Sequence, residues 1–423
     1  MTMGPWGTHL ERTVTWWDQA HAWFRYIARC QYLLQSGLFV ADVCYFTGEA
    51  GPNDLPGRPG LQPALPDGYD YDGCDATVLM NRMSVKDGRI VLPDGMSYAA
   101  LVLPNSRFMT PAVARKVRSL VEAGATVIGP KPIQSPSLVG YPQCDAEVRA
   151  IGEQVWGRCD GTGVKQNRFG RGRVLWGMTM RDVFRLLRTP PDFEYTAIGG
   201  AKLVYIHRRV GKAEVYFVSN QQYRNVAVEM RFRVRGMQPE LWHADTGETV
   251  PAPVWHEEGG RTVVSMRFDP AQSVFVVFRK PAQGVHIASI QRVGPDAPAV
   301  PRERIEIQLA RYEAQDGSRG ADVAAQVRRM VIQGETEIPA TNDVFGDPVP
   351  LVVKRLRMEW TVNGRPMKAS VAEGGSIALT TTARTAVTAD YDIRVSGSGR
   401  AALTPWRSGS YTIRTSSGKT RLL

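Results

Sequence analysis

The stretch MTMGPWGTHLERTVTWWDQAHAWFRYIARCQYLLQSG, residues 1–37, runs directly into LFVADVCYF, residues 38–46. Trp6, Trp16, Trp17 and Trp23, four of the ten tryptophans, fall within the first 23 residues, where a free terminus is ordinarily polar and poorly ordered. Thr13 or Thr15 is placed to cap a helix. Its apolar positions Trp16, Ala20, Trp23, Ile27, Cys30 and Leu34 recur every three or four residues, and Gly37 supplies the left-handed stop. Leu38–Phe46 is too continuously apolar for a strand with one wet face. A helix feeding a doubly buried strand is the repeating unit of a parallel barrel or an open α/β sheet. One such unit closes nothing, so the expected strand has no neighbours at its edges, and Trp16, Trp17 and Trp23 read as core rather than site.

Working outward, the Gly- and Pro-rich loop TGEAGPNDLPGRPG (47–60) leads to a second pattern from about Tyr69. It reads as strand DATVLM (75–80), turn KDG (86–88), strands RIVLP (89–93) and YAALVLP (98–104), a helix, and strand ATVIGP (125–130). The helix is marked by Thr110 as cap, Pro111 in its first turn and Gly124 as stop, with Val113, Val117, Leu120 and Val121 on one face. This predicts a flavodoxin-like or amidotransferase-like α/β domain over 67–191. It offers no Gly-rich phosphate fingerprint after its first strand and no GxSxG elbow, so no chemistry is assigned to it. Cys74 and Cys144 read as buried structural thiols.

From residue 192 to 283 strands dominate, with alternating apolar positions and regular turns: KLVYIHRR, AEVYFVSNQ, VAVEMRFRV, PELWHADTGE, RTVVSMRF and SVFVVFR. They predict an antiparallel β-sandwich. A linker from Pro281 to Pro301 precedes a small α+β module, 302–380, with strand IEIQLARYE, a helix near Ala321–Gln333 and a hairpin turning at Asn363-Gly364. A β tail occupies 381–423.

With 43% hydrophobic and 22% charged residues in 423, the chain is globular and divides into several domains. The net charge of +11 is scattered, and its densest cluster (Arg168, Arg171, Arg173) lies among glycines without interleaved aromatics, so no nucleic-acid surface is expected. Five cysteines without a CxxC pair signal neither a disulfide framework nor a zinc site. No run of 18 apolar residues and no basic-then-apolar leader follows Met1, so neither membrane contact nor an export address is expected.

The opening run resembles the late barrel segment of α-L-rhamnosidases of glycoside hydrolase family 106. The resemblance continues through PDGYDYDGCDATVLMNRMSVKDGRIVLPDGMSY, LVEAGATVIGPKPIQSPSL, YPQCDAEVRAIGEQVWG, IHRRVGKAEVYFVSNQ and PELWHADTGE, roughly Met1 to Lys280. It implies that residues 1–66 are the terminal helix-strand unit of a (β/α)8 barrel and that Met1 is an internal position of a longer ancestral protein. Hydrolysis of terminal α-L-rhamnose needs two carboxyl groups at a barrel mouth, and the resemblance puts that pair upstream of Met1. Trp6, His9, Glu11 and Glu49 are the candidate substrate-binding residues. His9 and Glu11 are also candidates for the calcium ion that the family's site implies. Glu11 also reads as a helix cap or a partner of Arg12, and Glu49 as a solvated loop residue. His207, mid-strand, and His243 with Asp245, on a hairpin, are not expected to be catalytic. The partners implied are a rhamnose-containing glycan or glycoside and a separately encoded barrel chain, with relatives exported from the cytoplasm. The competing reading is a non-catalytic carbohydrate-binding or interaction module.

Overall fold

A computed structural model describes residues 14–51, 54–197, 200–282, 286–293, 305–332, 337–379, 390–396, 411–415 and 420–422. The expected first helix is α1 (Ala20–Gln35), preceded by a 3-10 turn at Trp17–Gln19. Its cap position falls at Gln19, without a side-chain bond, rather than at a threonine; Thr13 lies outside the described residues. Gly37 ends the helix with φ +63°, and a Cβ there would stand 2.1 Å from the Arg209 carbonyl oxygen, so both conformation and space demand glycine.

Leu38–Phe46 is not one strand. It divides into β1 (Leu38–Phe39) and β2 (Val43–Phe46), which join different sheets. The expectation of a barrel strand with bare edges is therefore corrected: β2 lies between β3 (Tyr71–Cys74) and β4 (Ala100–Val102), parallel to both. DATVLM, expected as a strand, is helix α2 (Ala76–Asn81), because Asp75 caps it by accepting the Val78 N–H at 2.8 Å. There follow α3 (Pro111–Ala123), capped as expected by Thr110 and Gly124, β5 (Thr126–Ile128), α4 (Gln143–Trp156), β6 (Gln166–Phe169), β7 (Gly172–Leu175) and α5 (Met180–Leu187).

The sheet order is β3-β2-β4-β5-β7-β6, parallel except for the β6 edge. Counted along the chain, the five parallel strands stand 2-1-3-4-5, the flavodoxin-like doubly wound order. Its first strand is β2, drawn from the segment that sequence reading assigned elsewhere. Alternate residues explain why β2 is apolar throughout: Cys44 and Phe46 pack with Val113, Val117 and Leu120 of α3, whereas Val43 and Tyr45 pack with Met180, Val183 and Phe184 of α5.

The next nine strands are β8 (Phe193–Ala197), β9 (Leu203–Val210), β10 (Ala213–Asn220), β11 (Val226–Phe232), β12 (Met237–Trp242), β13 (Thr249–Pro251), β14 (Trp255–Glu258), β15 (Arg261–Phe268) and β16 (Ser273–Pro281). They form two antiparallel sheets, β1-β9-β10-β16-β12-β13 and β8-β11-β15-β14, as expected of a sandwich. Tyr216, Val218, Val274, Val276 and Phe278 face the second sheet's Met230, Phe232 and Val264. The alternating residues Val215, Phe217, Phe275 and Val277 lie on the outer face, beneath α1. SVFVVFR is apolar without alternation because both of its faces are covered.

In a separate compact unit, β17 (Ile305–Ala314), β18 (Gly320–Asp322), α6 (Ala324–Ile332), β19 (Lys354–Val362) and β20 (Arg365–Ala372) build a four-stranded sheet in the order β18-β17-β19-β20. Its core holds Tyr312, Val327, Leu356, Met358 and Trp360. The β19-β20 hairpin turns at Asn363 (φ 52°) and Gly364 (φ 81°), the expected type I′ geometry. A strand, His286–Val293, stands within the expected linker, and short strands Asp390–Ser396, Tyr411–Thr415 and Thr420–Leu422 lie in the tail.

Candidate functional site

Helix α1 has a covered end and a bare one. Tyr26, Cys30, Leu33 and Leu34 pack on the outer face of the sandwich. The Tyr26 hydroxyl shares a 2.8 Å hydrogen bond with Ser273 Oγ, at the first residue of β16. Arg29 Nη1 donates to the carbonyls of Ala244 and Asp245, both at 2.8 Å. N-terminal to these contacts Ala20 is buried, whereas Trp16, Trp17 and Trp23 are 39%, 53% and 45% exposed. These tryptophans, expected in a core, form a part-exposed cluster: among the described residues their ring contacts are with one another and Phe24, Trp16 to Trp23 at 6.0 Å and Trp23 to Phe24 at 5.0 Å between centroids. A hollow of about 300 Å³ opens between Trp16, Gln19, Ala20 and Trp23. So large an aromatic surface is characteristic of a face that another protein segment covers.

Glu49 follows β2 at the carboxyl edge of the parallel sheet, beside the point where strand order reverses and doubly wound folds bind ligands. Its carboxylate is already engaged. Oε2 accepts the Thr110 N–H at 2.8 Å and Oε1 accepts the Thr110 hydroxyl at 2.6 Å. A carboxylate at the α3 N-terminus is held there by the helix dipole, so an internal anion occupies that helix end. Trp6, His9 and Glu11 lie outside the described residues. Among the described residues no group of three or more His, Cys, Asp or Glu side chains is arranged to hold a metal ion. All five cysteines are buried and free.

Sequence reasoning missed a buried ionic cluster that joins the α/β sheet to the sandwich. Asp192, just before β8, accepts from His207 Nδ1 at 2.8 Å, from the Tyr216 hydroxyl at 3.0 Å and from Arg233 Nη2 at 3.1 Å. Arg233 Nη1 reaches Asp42, just before β2, at 2.7 Å. His207 Nε2 meets Glu214 at 2.9 Å, and the imidazole stacks on Tyr216 with centroids 3.8 Å apart. Burial disfavours the imidazolium, yet Asp192 and Glu214 outweigh it and hold the His207 pKa above its ordinary value. Burial likewise opposes the charged Asp192, but His207 and Arg233 keep its pKa low. Burial raises the Asp42 pKa despite Arg233, and drives that of Asp70 to about 6. With side chains 3% and 2% exposed, His207 and Asp192 touch no solvent that a glycan would enter. The cluster ties domains together. His243 and Asp245 form the predicted turn: the Gly247 N–H donates to the His243 carbonyl at 2.7 Å and Gly247 has φ +85°. No helix among the described residues is long and apolar enough to cross a membrane.

Comparison with known proteins bears on what this scaffold serves. A family model described as alpha-L-rhamnosidase, glycoside hydrolase family 106, matches residues 1–255. A curated relative, a putative beta-glucuronidase of Formosa agariphila, is 32% identical over 361 residues, covering 84% of this chain and 29% of the relative. The solved structure of a rhamnosidase from Novosphingobium sp. PP1Y is 29% identical with a TM-score of 0.59, covering 85% of this chain and 33% of that one. The chain thus spans about a third of the length of these relatives. With the family model matched over more than half its length, this chain belongs to the α-L-rhamnosidase family, glycoside hydrolase family 106.

Proposed function

We propose that the chain is the scaffold portion of an enzyme that removes terminal α-L-rhamnose from glycans or glycosides, and that the part of the enzyme it does not span carries the catalytic carboxyl pair. Hydrolysis requires two carboxyl groups roughly 5 to 5.5 Å apart for retention, or 6.5 to 9.5 Å for inversion, with the sugar between them. The acids described above serve other ends: Glu49 caps α3, and Asp42, Asp192 and Glu214 are paired in the domain interface. The observation that carries the proposal is the bare aromatic end of α1 in a chain that spans about a third of its relatives. In this reading α1 is the last helix of a (β/α)8 barrel and its tryptophans seat that barrel. Trp6, His9 and Glu11 then belong to the barrel mouth, where the carboxylate of Glu11 suits a sugar hydroxyl or a calcium ion, which takes oxygen ligands, and the imidazole of His9 suits a sugar hydroxyl.

The test is release of the aryl group from an aryl α-L-rhamnoside, by this chain alone and co-expressed with the barrel segment of the Novosphingobium rhamnosidase. We expect no turnover alone, and co-purification with turnover together. Turnover by the chain alone, abolished by Glu11→Gln, would place the catalytic residues here and overturn the proposal.

A further inference from the structure

On the flank of α1, where the helix passes the β12-β13 hairpin, the structure holds a cavity of about 440 Å³, within the size range of small-ligand sites. Its floor is apolar, built from Ala28, Leu33 and Phe275. Trp242 and Tyr32 supply aromatic walls, and His243, Glu248 and Thr249 a polar rim. This cavity is separate from the tryptophan cluster at the start of α1 and from Glu49.

Trp242 is held as a fixed platform. Its indole N–H donates to Glu240 Oε2 at 3.0 Å, and the Arg279 guanidinium carbon lies 5.1 Å from its ring centroid. Glu240, only 6% exposed, is in turn gripped by Arg279 at 2.7 Å and Lys280 at 2.9 Å. A half-exposed aromatic ring whose rotamer is locked in this way is preorganised to receive a flat apolar surface. Among the described residues the cation lining the cavity is Arg29, which spends Nη1 on two backbone carbonyls, and Glu248 offsets its charge, so the lining does not select an anionic ligand. An aromatic platform, an apolar floor and a rim of hydroxyl and carboxylate acceptors match a neutral pyranose, which presents a C–H face on one side and hydroxyl groups at its edge.

We infer that this cavity is a sugar-binding site that takes a neutral 6-deoxyhexose unit of the rhamnose type. The sugar's C–H face lies on Trp242, its hydroxyl groups meet Glu248 and Thr249, and its methyl group meets Ala28 and Leu33. The site gives the scaffold a grip on a rhamnose-containing glycan while another unit of that glycan is cleaved. The choice of a rhamnose-type sugar rests on the proposed function; the preference for a neutral sugar rests on the cavity alone.

The test uses the full chain, titrated with methyl α-L-rhamnopyranoside and with its 6-hydroxylated counterpart, methyl α-L-mannopyranoside, by saturation-transfer NMR and tryptophan fluorescence. We expect saturable binding of the rhamnoside, at least tenfold weaker in Trp242→Ala and several-fold weaker in Glu248→Gln. We also expect binding at least several-fold weaker for the mannoside, whose added hydroxyl meets the apolar part of the cavity without a hydrogen-bond partner, at a cost of about 1 kcal/mol or more. Should circular dichroism show Trp242→Ala unfolded, the exposed changes Glu248→Gln and Thr249→Val carry the test. Absence of saturable binding to the unaltered chain, or binding unchanged in the folded variants, overturns the inference. Equal binding of the two sugars overturns the 6-deoxy preference. Hydrolysis is not read in this experiment, so its failure leaves the scaffold proposal standing, and failure of the reconstitution assay leaves this site standing.

Discussion

Replacing Asp192 by Asn removes one charge from the centre of the buried cluster while keeping the side chain's shape. Asp192 is 1% exposed and takes bonds from His207, Tyr216 and Arg233. Breaking a buried ion pair from one side leaves uncompensated charge and costs about 3 to 5 kcal/mol, a large share of the 5 to 15 kcal/mol that typically holds a domain. With a urea dependence of about 1 to 3 kcal/mol per molar, the transition of the α/β and sandwich region should begin at least about 1 M earlier. The pH profile adds a sharper signature. The His207 pKa is raised in the folded state, so its contribution is fully present below the unfolded value, near 6.5, and is lost as pH rises through the folded value. The Asp192 pKa is depressed, so its contribution is present above the unfolded value, near 3.9, and is lost as pH falls through the folded one. The deficit of Asp192→Asn should therefore be widest between these limits and shrink on either side. Urea titrations followed by circular dichroism at several pH values measure it. A midpoint shift below about 0.3 M, or a deficit independent of pH, would show that the cluster neither carries the charges assigned nor ties the domains.

Asp70→Asn should stabilise the chain at pH 7.5 by about 1 to 2 kcal/mol, the gain shrinking as pH falls below 6 and vanishing near pH 3, below the unfolded value near 3.9. Its carboxyl, raised to about 6 by burial, is costly only when ionised, and thermal melts at pH 7.5 and near pH 3 decide. Gly37→Ala should cost roughly 1 to 3 kcal/mol, since it combines positive φ with a clash against the Arg209 carbonyl; a variant melting with the parent would refute this. Glu49→Gln should cost only about 0.3 to 1 kcal/mol by weakening the α3 N-terminus. In the reconstituted enzyme it should leave turnover nearly unchanged, and a loss of several orders of magnitude would return Glu49 to the site. Trp17→Ser with Trp23→Ser should lower binding of a hydrophobic dye and self-association in sedimentation; no change in either would mean that the α1 aromatic end is not an adhesive surface.

Sequence alone determined those features whose causes are local. The Thr110, Pro111 and Gly124 signals bound α3 within a residue; period-two patterning marked the strands of the sandwich; Asn363-Gly364 set the β19-β20 hairpin of the separate unit. Long co-linear motifs carried the family. Tertiary structure decided what depends on partners distant in the chain. An apolar run such as Leu38–Phe46 records that both faces are covered, but not by which elements, so only the paired strands Tyr71–Cys74 and Ala100–Val102 reveal that it opens the doubly wound sheet. The stripe on α1 is likewise a correct helix face, yet only the fold shows that Tyr26, Cys30, Leu33 and Leu34 are the part covered by the sandwich while the tryptophans stay partly exposed. His207, Asp192 and Arg233 look like ordinary polar residues of strands and turns. They become a buried cluster because β9, β10 and the segments flanking β8 and β11 converge at one point, and burial, unlike propensity, is a property of the assembled fold.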